Sequence, residues 1–449
     1  MEKKFSSIPE LWGGLECSFN RVKGKYFDQL AYSKHYDRIA EDLQAIAALG
    51  ITSIRYPVIW EKYQPKRHSS IYWDHAELAL TTLQQYRIKP IVGLVHHGSG
   101  PKYADVTMPG FATELASYAA KVAEKFPWLD YYTPVNEPLT TARFSGLYAL
   151  WYPHRRNDRA FVQILLNELK GVVLSMAEIR KINPDAKLVQ TEDLAKIYST
   201  PLMAYQAEFE NHRRWLTFDI LCGRVRPGHP LWAYLQHYAA SATDLHFFED
   251  NPCPPDILGM DYYATSERYL DEDLERYPSE KHGHNHRHRY ADVEAIRVRH
   301  NEASGIQVLL REAWERYRIP IAVTEVHMNC DYDNQIRWFG EIRNACIALR
   351  GEDIDIRAVT SWSLLGAYGW NSLLTEPMGD YESGAFDVSC GHAVRTPVGD
   401  YIAALSADPL LHHPAMNEKG WWSEENRYLF ERNSPAELAS RDQPLNQTD

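Results

Sequence analysis

Short apolar runs alternate with longer amphipathic stretches from one end of the chain to the other. The runs fall at residues 11–17, 51–59, 90–96, 131–137, 186–192, 256–263, 319–325 and 355–362. Each is of strand length, most are rich in Val, Ile or Tyr, and several are entered through Gly or Pro. Helical patterns fill the intervals, at 33–49, 74–87, 111–126, 158–182, 205–221, 302–317, 333–349 and 397–405. Stop signals are legible too: Gly50 follows Ala47-Ala48-Leu49, and Asn183-Pro184 closes the long fourth helix. Eight strands alternating with eight helices predict an α/β chain folded as a closed (β/α)8, or TIM, barrel. A doubly wound sheet would also alternate, but it would want a Gly-rich phosphate turn, and no GxGxxG or P-loop pattern occurs. Residues 1–406 are therefore expected to form one barrel. Residues 264–301 are expected to form a long polar loop inserted after strand six, on the catalytic face. Residues 407–449 read as an irregular tail, packed on the barrel or partly disordered.

Composition narrows the function. The 449 residues are 45% hydrophobic and 12% aromatic, enough for a large core, so a disordered chain or a disulfide scaffold is excluded. Lys and Arg number 48 against 60 Asp and Glu, a net charge of −12. That balance argues against a nucleic-acid partner or an anionic membrane surface, since both want a basic face. The six cysteines are scattered without zinc-ligand spacing and read as free, mostly buried thiols. No leader-like apolar segment opens the chain and no run approaches 18 apolar residues. A cytoplasmic protein with no membrane contact is the expectation.

The strand ends carry the chemistry. Strands buried on both faces should end in small or apolar residues unless the C-terminal rim is used. Here the rim reads Glu16, Arg55, His96, Asn136-Glu137, Glu192, Asp261 with Tyr263, Glu325 and Trp362. Any one of these acids could belong to a rim salt bridge. A whole ring of polar ends implies a cavity. Glu137 closes strand four and Glu325 closes strand seven, across the barrel mouth from each other. A pair of carboxylates is what glycoside hydrolysis needs, one to protonate the leaving oxygen and one facing the oxocarbenium-like centre. That chemistry needs no cofactor, and no metal-ligand set is visible, so neither is expected. Two features attract attention without fitting a site. The run His282-Gly-His-Asn-His-Arg-His288 reads as a solvated loop rather than a chelator. His96 and His97, as strand neighbours, should point in opposite directions and so form no metal pair.

The motifs also carry a resemblance. Thr133-Pro-Val-Asn136-Glu137-Pro138 resembles the T-x-x-N-E-P acid/base segment of glycoside hydrolase family 1, in the clan A of retaining β-glycosidases. In family order, Leu11-Trp12-Gly13-Gly14 resembles the opening strand and Arg55-Tyr-Pro-Val-Ile-Trp60 the second. Leu94-Val-His96, Gly259-Met-Asp-Tyr262-Tyr263 and Trp362-Ser-Leu-Leu365 resemble the third, sixth and eighth. The pattern is similar to a divergent group of that family found elsewhere fused to a deoxysugar-reductase-like domain. The resemblance implies that Glu137 is general acid and then base, and that Glu325 is the nucleophile of a covalent glycosyl-enzyme intermediate. It implies that Asn136 binds the sugar 2-hydroxyl, that Arg55 and Tyr263 support Glu325, and that His96 and Trp362 line the sugar site. Glu16, Asn20, Glu192, Asp261, His327 and Trp370 complete the implied substrate-binding set. The implied ligand is a small or oligosaccharide β-glycoside.

Departures from the pattern bear on substrate. Glu325 is followed by Val326-His327 where Asn-Gly is usual, and Gly369 stands where a sugar-gripping Glu is usual. Asn20 aligns with a Gln, and Asp261 replaces an Asn. A non-standard or modified sugar is expected, with His327, Asn371 or Glu382 available to meet it. A 6-phosphoglycoside is not, because residues 371–378 offer no Lys or Arg. Two alternatives stay open: a transglycosylase using the same acids, and a catalytically weak sugar-binding barrel.

Overall fold

The computed structural model describes residues 7–239, 241–298 and 303–430. Eight parallel strands close into a barrel: β1 (Glu10–Gly14), β2 (Ser53–Pro57), β3 (Lys89–His96), β4 (Tyr131–Asn136), β5 (Lys187–Asp193), β6 (Ile257–Tyr262), β7 (Ile321–Val326) and β8 (Ile356–Ser361). Each pairs with its neighbours in chain order, and β1 closes the ring by pairing with both β2 and β8. Trp12, Ile91, Val189, Ala322 and Ala358 fill the interior below the mouth, so the barrel is a packed core rather than a pore. The larger core lies between the strands and the surrounding helices.

Several helices open on side-chain caps legible in the sequence. Asn157 caps Asp158–Ile182 by accepting from the Ala160 amide at 2.9 Å. Asp331 does the same for Tyr332–Gly351 through the Asn334 amide, and Thr396-Pro397 opens Pro397–Ala407. Among the described residues Asp158–Ile182 is the one helix long and apolar enough to cross a membrane, and 67% of its most apolar window is buried within the protein.

The stretches after β5 and after β6 differ from the sequence reading. The single helix expected over 205–221 is broken into Ala204–Arg213 and Leu216–Leu221, and two more helices, Trp232–Tyr238 and Ala242–Asp250, follow before β6. The expected loop 264–301 instead carries three strands of a small sheet. Glu267–Asp271 pairs with Arg289–Glu294, which pairs with His282–His284, and Lys196–Ser199 adds a fourth strand. Tyr269, Tyr277, Ala291 and Val293 give this sheet a small core of its own. Its outer face is charged: Arg268 bridges Asp292 at 2.8 Å and Glu294 at 3.4 Å across the strands, which hides the alternation in the sequence. Residues 299–301 lie outside the described residues. The tail packs as far as residue 430. Trp422 donates to Glu341 at 2.7 Å and meets the Trp338 ring edge-on, while Arg337 donates to the Ala415 carbonyl. Residues 431–449 lie outside the described residues.

One close approach ties the barrel seam to its mouth. A Cβ at Gly14 would lie 2.5 Å from the indole of Trp362, which follows β8. Gly14→Ala is expected to overpack this seam, lowering stability by about 1–3 kcal/mol. Urea denaturation with tryptophan fluorescence measures the loss, and an unchanged midpoint would show that the seam has slack.

Candidate active site

Arg55, in the middle of β2, is the centre of the mouth. It is buried, and its guanidinium donates to Glu325 at 2.7 Å, to the Thr324 carbonyl at 3.0 Å, and to Asn136 Oδ1. Its carbon lies 4.6 Å from the Trp362 ring centroid. The register explains why β7 can present both groups. Val323 pairs with Met260 and Glu325 with Asp261, leaving Thr324 as an extra residue in β7. Such a bulge re-aims the side chains beside it. Thr324 Oγ1 turns to Asp261 Oδ1 at 2.6 Å. Tyr263, just past β6, donates its phenol to Glu325 Oε2, whereas Tyr262 points outward and stacks on Trp338.

Glu137 faces this group from β4. Its backbone is left-handed, φ +42°, at the step from strand to the short helix Pro138–Ala142. Non-glycine residues hold that conformation only when their surroundings enforce it. Glu192 is the enforcer. Its carboxylate accepts from the Leu139 amide at 2.8 Å, the Thr140 amide at 3.2 Å, the Thr140 hydroxyl, and the Thr217 hydroxyl at 2.7 Å. The sequence reading gives Glu192 a sugar contact; the structure commits both its oxygens to the turn that carries Glu137.

One oxygen each of Glu137, Asp261 and Glu325 lie within 4.8 Å of one another. Among the described residues this is the one grouping of acids, thiols and imidazoles compact enough to hold a cation, and the Arg55 guanidinium already supplies that charge beside Glu325. The imidazoles of 282–288 do not converge: His282 faces the Leu274 and Tyr277 carbonyls, and His288 meets Tyr205.

Asn136 accepts from Arg55 and from the Thr191 hydroxyl, and its amide nitrogen lies 3.3 Å from His96 Nε2. His96 stacks flat on Trp362, with centroids 5.6 Å apart and planes 8° apart. On the far side, Glu16 Oε2 accepts from Trp370 Nε1 at 3.0 Å, Asn20 donates to the Leu374 carbonyl, and His327 pairs with Glu382 at 3.0 Å. Asn371 donates to Asp380 in an exposed loop. Gly369 has φ +74°, a left-handed conformation that favours glycine there.

His97 belongs to the mouth as well, and sequence reasoning missed it. Alternation would turn it away from His96, but β3 ends at His96 and His97 adopts φ +52°. Its Nε2 lies 3.6 Å from Glu137 Oε2 and its Nδ1 3.2 Å from Thr141 Oγ1, with Trp151 and Trp370 against the ring. No feature of the sequence marks that turn.

Burial dominates the electrostatics. It holds Glu137 well above the carboxylate range, with Asp261 and Glu325 adding like-charge repulsion, and it does the same to Asp261. Burial also raises Glu325, but Arg55 and Tyr263 pull against it and the rise is smaller. Glu16 is pushed up to about 6 and Glu61 to about 7 by burial. Burial lowers His96 well below its ordinary value and His97 to about 3, so both rings are neutral.

The comparisons with known proteins agree with this architecture. The model of glycosyl hydrolase family 1 matches residues 16–379. The chain belongs to that family and is an O-glycosyl hydrolase. It is similar to the aryl-phospho-beta-D-glucosidase BglC of Bacillus subtilis, 20% identical over 411 residues, covering 81% of this chain and 83% of that one. A shorter match, 26% identical over 134 residues, covers 28% of this chain and 26% of the probable inactive beta-glucosidase 14 of Oryza sativa subsp. japonica. Among solved structures, the beta-glucosidase from Thermotoga maritima in complex with deoxynojirimycin superposes with a TM-score of 0.74 at 16% identity, covering 91% of this chain and all of that one. The AHE enzyme from Alicyclobacillus herbarius gives 0.71 at 16% identity, over 90% and 99%.

The buried acids make stability depend on pH with a definite sign. A carboxyl raised in the folded state binds its proton more tightly than the unfolded chain does. Its contribution is full below about pH 4.5 and is lost as pH rises through the folded value. Glu16, Glu61, Glu137, Glu168 and Asp261 all act this way. His96 and His97 act oppositely, costing stability as pH falls below about 6.5. The raised acids outnumber the two histidines, so the melting temperature is expected to fall steadily from about pH 5 toward pH ~9. Calorimetry across that interval checks it, and a rising melting temperature would contradict the assignment.

Proposed function

We propose that the protein is a retaining β-glycosidase acting by double displacement on a modified β-glycoside. The observation that carries this reading is that one oxygen of Glu137 and one of Glu325 lie within 4.8 Å of each other, with Arg55 donating to Glu325 and not to Glu137. Retaining enzymes hold their two carboxyl groups about 5–5.5 Å apart, and inverting enzymes leave roughly 6.5–9.5 Å for a water. Glu325, the less raised acid and the one paired with a cation, is suited to attack the anomeric carbon. Glu137, held protonated by burial and by its neighbours, is suited to protonate the leaving oxygen and then to take a proton from water. Asn136 and His96 would meet the 2-hydroxyl side of the ring and Trp362 would bound the pocket.

The far side supports a substrate other than plain glucose. A carboxylate hydrogen-bonding a sugar hydroxyl is worth about 1.5–3 kcal/mol, or roughly one to two decades of transition-state binding. With glycine at position 369, that contact is absent there, and Glu16, Asn20 and the His327–Glu382 pair form a differently shaped wall. Residues 371–378 carry no Lys or Arg, which disfavours a phosphorylated sugar.

Turnover of an aryl β-glycoside panel with product analysis tests this. Weak aryl β-glucoside activity and better activity on a deoxy, pentosyl or otherwise substituted sugar are expected, with β-configured first products. Efficient glucoside hydrolysis would refute the substrate assignment, and binding without turnover on every sugar would favour a binding barrel. Transfer products exceeding hydrolysis would favour a transglycosylase.

Roles are separable by mutation. Glu325→Gln should abolish turnover whatever the leaving group. Glu137→Gln should spare the first step for activated leaving groups and slow release, with azide restoring turnover as a β-glycosyl azide. Equal losses in both variants on every leaving group would refute the division of labour.

A further inference from the structure

Asp261 is fully buried, and one of its oxygens has no donor. Oδ1 accepts from the Thr324 hydroxyl at 2.6 Å and lies 3.9 Å from Arg55 Nη1. Oδ2 is buried and meets no hydrogen-bond donor among the described residues. A buried carboxylate oxygen left bare is costly, and the one guanidinium here is already spent on Glu325, the Thr324 carbonyl and Asn136. A proton removes the difficulty, because a hydroxyl on Oδ2 becomes a donor and the neighbouring carboxylates are acceptors. Glu325 already accepts from Arg55 and Tyr263, whereas Glu137, one of whose oxygens lies within 4.8 Å of one of Asp261, has no charged donor among the described residues and only the neutral His97 ring at 3.6 Å.

We propose that Asp261 is a positioning residue for Glu137: the two carboxyls hold one proton in common in the resting enzyme, and Arg55 balances whichever member of the trio carries the displaced charge. This rests on the assignment of Glu137 as the acid. In the first half-reaction the shared proton passes from Glu137 to the leaving oxygen as the glycosidic bond breaks and the Glu325–carbon bond forms. Glu325 loses its charge on becoming an ester, and the pair gains one. The guanidinium, 2.7 Å from Glu325 and 3.9 Å from Asp261, stays beside the negative charge throughout. In the second half-reaction water gives its proton back to the pair, its oxygen bonds to the anomeric carbon, and Glu325 leaves as the anion. Protons and charge are conserved over the cycle.

The other charged groups facing the pair are few. Glu192 and Asp193 from β5 add negative potential, partly answered by Arg143, which lies 3.9 Å from Asp193. Tyr263 remains a neutral phenol, raised well above its usual range by burial and by Glu325. A second acid beside Glu137 therefore makes the last proton hard to remove, as in carboxyl dyads generally.

The test is the pH dependence of kcat/KM on an aryl glycoside with a poor leaving group, for wild type and Asp261→Asn. Asparagine keeps the shape and cannot ionise. The alkaline limb, which reports loss of the acid's proton, is expected to move acidward by about one unit or more, so activity above the limb falls about tenfold or more relative to wild type. On an activated leaving group, whose departure needs no proton, the first step should show a much smaller shift. An active variant whose alkaline limb stays in place overturns the proposal, and so does a wild-type activity lost to EDTA, which would mean a metal ion rather than a proton among the acids. Wild type inactive on every glycoside would instead sink the glycosidase reading itself. Should Asp261→Asn fail to fold, infrared difference spectra of wild type carry the test. A protonated carboxyl band must disappear over the same pH interval in which kcat/KM falls, and its absence at pH ~7 overturns the shared proton.

Discussion

The mouth of this barrel is organised by one buried guanidinium. Arg55 reaches from β2 to β7 and β4, donating to Glu325, to the Thr324 carbonyl and to Asn136, with Trp362 beneath it. A buried ion pair of this kind is not a stability device, since desolvation offsets much of its attraction. Its consequence is positional. Removing either partner would leave an uncompensated charge in the interior, so the pair holds Glu325, Asn136 and the bulge at Thr324 in one arrangement. From Asn136 the order extends to His96 and thence to the Trp362 ring.

Charge balance follows from the same fact. Glu16, Glu137, Asp261 and Glu325 gather at the mouth, and Arg55 answers Glu325 directly. The rest must carry protons or like-charge strain, which is why burial and neighbouring anions raise Glu137 and Asp261 so strongly. An acid that keeps its proton next to an anion that has lost its own is the condition retaining hydrolysis requires. The asymmetry here arises from which carboxylate the guanidinium touches.

Backbone strain is placed beside this chemistry and restrained by it. Glu137 and His97 both take left-handed conformations at the ends of adjacent strands. Glu192, four times an acceptor, clamps the turn after Glu137, and Thr141 meets the His97 ring. On the opposite wall the loop at Gly369 takes a left-handed turn that favours glycine, and Glu16 accepts a hydrogen bond from the Trp370 indole N–H. The buried acid cluster and the wall around Glu16 and Trp370 thus rest on different elements, β4, β6 and β7 on one side and the segment after β1 with the loop after β8 on the other. Structural neighbours at 16–17% identity keep the fold because buried volume and pattern, not residue identity, specify a barrel.

The alternation of apolar runs with amphipathic stretches was enough to read the barrel, because strands buried on both faces and helices with one apolar face leave distinct periods in any sequence. The acids Glu137 and Glu325 were legible because polar residues at the ends of buried strands have no packing reason to be there. The sheet within 264–298 was not legible, since its cross-strand ion pairs make a strand look like a polar loop. Nor was His97 at the mouth, because a single left-handed residue cancels the period-2 rule that pointed it away. Glu192 was visible as a rim acid, but whether it faces a sugar or a turn depends on which amides the fold brings to it. The same holds for Asp261: its type and strand position are in the sequence, while its bare oxygen and its distance from Glu137 and Arg55 exist only once β2, β4, β6 and β7 are closed into a ring. Periodicity is a local property and survives in one dimension; partnership among buried polar groups is set by long-range register, and only the tertiary structure decides it.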